Sequence, residues 1–115
     1  MSPSFWIEEE ALDELDAAIA RYDAGGQLTG QRFRARYDKV IDRIIMWPES
    51  GAVYEFDDEP DIEDFEADFQ VRWAKVSGFP YRVVYLLEPK RLTVIAVANE
   101  RRRPGYWRER VPNHQ

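Results

Sequence analysis

Apolar residues recur along this chain at two spacings, and each spacing predicts an element. Ser4-Phe5-Trp6-Ile7 is a short apolar run of strand character. From Glu9 to about Ala24 the apolar positions are Leu12, Leu15, Ile19 and Tyr22, with Ala11 and Ala18 beside them. That is helical spacing with one apolar stripe. Acids crowd the first turn, where they complement the helix dipole, and Gly25-Gly26 stops the helix. A second helix is predicted from Thr29 or Gly30 to Met46. Its buried face is Phe33, Tyr37, Val40, Ile41 and Ile44, and Arg32, Arg34, Arg36, Lys39 and Arg43 fall mostly on its other sides. Pro48 ends it. The short glycine-containing link makes an antiparallel helical hairpin.

The spacing then changes to that of strands, at about Phe69–Val76, Tyr81–Leu87 and Leu92–Ala98. Ser77-Gly78 and Pro89-Lys90 separate them, and such short connections imply an antiparallel meander. The last two runs are almost continuously apolar, which suits central strands with helices packed on one face. Pro104 to Arg110 starts with proline and reads as one or two helical turns. No internal repeat or second domain is visible. The expected architecture is α+β and a single domain over residues 1–115: an N-terminal strand and helical hairpin packed on a twisted, mostly antiparallel sheet.

Composition narrows the chemistry. The 115 residues, 44% hydrophobic and 14% aromatic, suffice for one packed core. With no cysteine there is no disulfide or thiol chemistry, and a reducing cytoplasm is the expected compartment. The only histidine is His114, so imidazole catalysis and a zinc site are not expected, nor is any cofactor. No stretch has transmembrane length or a signal-peptide pattern, so no membrane association is expected.

Charge is split along the chain. Residues 1–69 carry 6 Lys and Arg against 19 Asp and Glu; residues 70–115 carry 10 against 3. The balances of −13 and +7 give the net −6. Either one face is basic, or the halves neutralise each other in the fold. Nine acids with no Lys or Arg occupy Glu55 to Asp68, interspersed with Phe56, Ile62 and Phe65. They read as a solvated loop or short helix, or as an acidic strip near the basic tail. Arg101, Arg102 and Arg103 close the last strand and put positive charge at one sheet edge, a place to hold phosphate.

The order strand, helical hairpin, meander and basic tail resembles the RelE/ParE superfamily of bacterial type II toxin–antitoxin (plasmid stabilisation) toxins. Three segments carry the resemblance. Glu10-Ala11-Leu12-Asp13-Glu14-Leu15 is similar to the family's helical opening. Phe79-Pro80-Tyr81-Arg82-Val83-Val84-Tyr85 is similar to its central strand. The stretch from Ala96 through Asn99-Glu100-Arg101-Arg102-Arg103-Pro104-Gly105-Tyr106-Trp107 resembles its closing strand and tail. The resemblance spans nearly the whole chain except 55–68. Many relatives carry histidine where this chain has Asn99, and the family is usually basic.

The resemblance implies a growth-arresting toxin that forms a hetero-oligomer with a cognate antitoxin. Its target would be DNA gyrase, as in the ParE branch, or ribosome-bound mRNA. In the second case it would be a metal-independent endoribonuclease. The different-class alternative is a non-toxic binding module on the same fold. Phosphoryl transfer from a ribose 2′-hydroxyl needs a proton acceptor, cations for the phosphate and a proton donor. The candidates are Lys75, Arg82, Arg101 and Arg102, with Tyr106 as a stacking or proton-bearing group. Lys75 and Arg82 can meet across a hairpin. An arginine in an apolar strand needs a partner, either an acid from the helices or a ligand anion. Tyr106 and Trp107 also read as a clamp of the tail onto the core. Ribonuclease relatives often carry a second base two residues before Lys75, where this chain has Trp73.

Overall fold

The computed structural model describes residues 4–54 and 69–111. The acidic stretch 55–68 and His114 lie outside the described residues. In chain order the elements are β1 (Ser4–Ile7), α1 (Glu9–Ala24), α2 (Thr29–Met46), β2 (Ala52–Val53), β3 (Gln70–Lys75), β4 (Tyr81–Glu88) and β5 (Arg91–Asn99). The strands form one five-stranded sheet in the order β1-β5-β4-β3-β2. Among the described strands only β1 is parallel to its neighbour, running beside β5 with Phe5 opposite Leu92 and Ile7 opposite Val94. The mixed α+β architecture expected from the pattern is the one observed. Among the described residues no helix is long and apolar enough to cross a membrane.

The two helices cover one face of the sheet. Phe33, Tyr37, Val40 and Ile44 of α2 pack with Ala11, Leu15 and Ala18 of α1 against Val83, Tyr85, Leu92, Val94 and Val97. The stripe read for α1 is rotated in the fold. Leu12 is 42% exposed, and the small side chains Ala11 and Ala18 take the buried positions. Small residues there let the helix lie close against its neighbours. The helices also approach closely at Gly30, where a Cβ would run into the Asp23 carboxylate and lie 2.8 Å from the Ile19 carbonyl. The link between them is tight enough that Gly26, Gln27 and Leu28 all adopt positive φ.

A β-bulge decides which residues face the helices. Val84 pairs with Ala96 and Tyr85 with Val94, so Ile95 has no partner on β4. Ile95 and Ala96 consequently both pack on the far side of the sheet, while Val94 and Leu92 turn back to the helices. Among the described residues, that far side is covered by chain segments and not by a helix. Trp107, 2% exposed, packs there with Val71, Val84, Leu86, Ile95 and Ala98, flanked by Tyr54, Phe69 and Tyr106. The tail is therefore a clamp, as one reading of Tyr106-Trp107 held. Its helical part is shorter than expected. Gly105, at φ 78°, breaks any helix from Pro104, and only Arg108–Arg110 forms a 3-10 turn.

Candidate functional site

A shallow cleft of about 150 Å³ opens on the far side of the sheet. Val84 and Ala98, both buried in the sheet, line it. Its walls are Trp73 and Arg82 on adjacent strands, Tyr54 beyond β2, and the turn that carries Glu100, Arg102, Arg103 and Tyr106. Strand geometry fixes the first set. Lys75 pairs with Arg82 across β3 and β4, Trp73 pairs with Val84, and Arg82 pairs with Ala98. Residues in direct register share a face, so Lys75, Trp73 and Arg82 stand together on the side away from the helices.

The acid that meets Arg82 comes from the turn after β5 and not from the helices. Lys75 Nζ donates to Glu100 Oε2 at 2.9 Å, and Arg82 Nε lies 3.4 Å from the same oxygen. The Arg82 guanidinium stacks on Trp73 at 4.0 Å. Its Nε is buried and poorly aligned on that oxygen for a hydrogen bond, so charge is the larger part of its link to Glu100. The hydrogen bond from Lys75 is the largest influence on the Glu100 carboxyl and holds it below its ordinary range; desolvation, the next largest, opposes this, and the charges of Lys75 and Arg82 add to the lowering.

Tyr106 belongs to a second arrangement, centred on Glu14 of α1. The phenol donates to Glu14 Oε2 at 2.7 Å, and Arg110 grips both carboxylate oxygens at 3.1 Å each. Arg102 lies over the Tyr106 ring at 3.6 Å and 3.5 Å from Glu14 Oε2. Burial, reinforced by the bond to the Glu14 carboxylate, pushes the Tyr106 phenol well above its ordinary value. Glu14 also accepts the Val97 backbone N–H at 2.9 Å, while Arg110 donates to the Ile95 carbonyl at 2.9 Å. β1 ends opposite Val94, so these two side chains occupy bonding groups on the half of β5 that no strand among the described residues covers.

Four of the five sequence candidates are thus drawn to one region. Arg82, Arg102 and Tyr106 line the cleft, and Lys75 joins it through Glu100. Arg101 does not line it. Its backbone N–H donates to Asn99 Oδ1, and its charge is felt by Tyr22 on the helical side. Asn99 itself is spent on structure, its amide donating to the Tyr81 hydroxyl at 3.3 Å. The candidates omitted Glu100, Glu14 and Arg110. Glu100 is the one acid between Pro89 and Arg108, and Glu14 is the one acid on the Ala11–Leu15–Ala18 face of α1. The first signal stands in the sequence itself; the second depends on the rotation of α1.

Neither a family model nor a curated protein sequence matches this chain. Among solved structures, it is similar to a chain of the chromosomal ParDE TA system from P. aeruginosa. The superposition has a TM-score of 0.63 at 14% identity, and it covers 84% of this chain and 95% of that one. At that identity the likeness is one of architecture, and the fold of this chain is ParE-like.

Proposed function

We infer that this chain is the toxin of a type II toxin–antitoxin pair, held in check by a cognate antitoxin. Its favoured action is ParE-like gyrase inhibition, ahead of RelE-like ribosome-dependent mRNA cleavage. The ParE-like fold supports the toxin reading. One observation favours binding over catalysis. Two ionisable groups of the cleft have their proton affinities moved further from the neutral range. Glu100 is held ionised by Lys75, and Tyr106 is held protonated by burial and by Glu14. A general acid or base works best with its pKa near the operating pH. The cleft therefore presents cations and aromatic surface, with these two groups poorly matched to proton transfer at neutral pH.

Induced expression tests this reading, with growth, plasmid supercoiling and mRNA integrity followed together. The expected result is growth arrest with altered supercoiling and intact mRNA, relieved by co-expression of an adjacent short open reading frame. Arrest with mRNA cut at ribosomes would overturn the gyrase branch. Normal growth at high expression would overturn the toxin reading itself.

A further inference from the structure

The cleft holds an anion of its own. Lys75 and Arg82 converge on a single oxygen, Glu100 Oε2, and Glu100 stands on the exposed turn after β5 with its side chain 29% accessible. Among the described residues, the side-chain contacts of that carboxylate are to those two cations and not to the core. Arg82 Nε, in a residue that lines the cleft, is buried and has no well-aligned acceptor among the described residues. Arg103 lines the same cleft and forms no ion pair among the described residues, and Arg102 is 54% exposed there. Tyr54, Trp73 and Tyr106 add aromatic surface between these cations. Cations tracking a groove, interleaved with aromatic rings, fit the phosphates and bases of a single strand.

We propose that Glu100 is a resident counter-anion, filling the seat in which Lys75 and Arg82 would hold a backbone phosphate of single-stranded nucleic acid. Binding requires the Glu100 side chain to swing out toward solvent. A phosphate oxygen then takes its place between Lys75 Nζ and Arg82 Nε, with Arg102 and Arg103 on the neighbouring phosphate. Glu100 thus sets how weakly the resting cleft binds. This goes beyond the toxin reading and does not require it, because it concerns the purified chain and an equilibrium without turnover.

The experiment is fluorescence anisotropy of a labelled oligouridylate against the purified full chain at low and moderate salt. Wild type is expected to bind weakly. Glu100→Gln should tighten binding roughly tenfold, since a charge-assisted competitor is removed. Glu100→Asp keeps the charge but shortens the reach, and should give a smaller gain. The gain should vanish in Glu100→Gln combined with Lys75→Gln. Glu109→Gln removes an equal charge outside the cleft and should change little. Equal gains in the Glu100→Gln and Glu109→Gln variants would reduce the effect to net charge and overturn the proposal. So would unchanged affinity in both Glu100 variants with melting temperatures intact. A gain for polyglutamate without one for the oligonucleotide would assign the seat to acidic protein instead, and would equally overturn it. Growth arrest is not among these readouts, so failure here leaves the toxin reading standing, and the converse holds.

Discussion

Tyr37 and Glu14 show how differently a polar atom can be buried. Tyr37 is 3% exposed, and its hydroxyl finds no hydrogen-bond partner among the described residues. An unsatisfied buried hydroxyl costs about 1–3 kcal/mol. Tyr37→Phe is therefore expected to raise the melting temperature by several degrees, read by calorimetry; a fall would mean that the hydroxyl has a partner. Glu14 is the opposite case, with Tyr106, Arg110 and the Val97 N–H all directed at it. Its removal strands each of those donors. Glu14→Ala should cost about 2–4 kcal/mol, or roughly 10 °C at this chain length. A melting temperature within 2–3 °C of wild type (about 0.5 kcal/mol) would show that water replaces the carboxylate without loss. Sequence reasoning found Lys75, Arg82 and Tyr106 by strand pairing and resemblance. It passed over Glu14 because an acid in a helix's first turns has a ready surface explanation. Only the rotation of α1 about Ala11 and Ala18 makes Glu14 internal.

At the scale of elements, the helices and the meander were legible because their apolar spacing and their breakers agree. Gly25-Gly26 and Pro48 stand at the observed ends of α1 and α2. The bulge in β5 was not legible. Leu92 to Ala98 is apolar throughout, so no alternation marks the position where the register shifts. The parallel placement of β1 was equally hidden, since four residues carry no record of their partner. Nor does any pattern announce β2, which is two residues long. Deleting Ile95 tests the bulge directly. With the C-terminal half of β5 held in place, Leu92 and Val94 would be turned away from the helices. The deletion variant is expected to lose cooperative melting altogether. Ile95→Val, which leaves the register alone, should cost only about 1 kcal/mol. Cooperative unfolding of the deletion variant near the wild-type temperature would mean that the extra residue is dispensable.

The molecule as a whole carries several phenols that its folding makes harder to ionise. Burial pushes Tyr37 up to about 12, and it raises Tyr22, Tyr85 and Tyr106 as well. Tyr85 also spans the sheet to a loop, donating to the Pro48 carbonyl at 2.6 Å and accepting from the Gly51 N–H at 3.1 Å. A phenol whose folded pKa lies above its unfolded value near 10 favours the folded state fully below that value. The contribution is lost as pH rises through the folded value. Stability should therefore hold to about pH 10 and fall steeply above it, read as urea midpoints at pH 9, 10 and 11. Tyr37→Phe should make the decline shallower. A flat profile to pH 11 would contradict the raised values. None of this was visible along the chain, where a tyrosine in an apolar run looks the same whether its hydroxyl is bonded, stranded or near water.

The Glu14–Arg110 grip on β5 also sets a timetable for synthesis. Glu14 leaves the ribosome long before Val97, and Arg110 follows both. Until Arg110 emerges, the Ile95 carbonyl and its neighbours form a bare strand margin beside an apolar run, the kind of surface on which chains from adjacent ribosomes adhere. Completion of the tail closes that margin with two side chains and spares the fold a sixth strand. A chain stalled just short of Arg110 would have almost every core residue and still be the sticky form of this molecule.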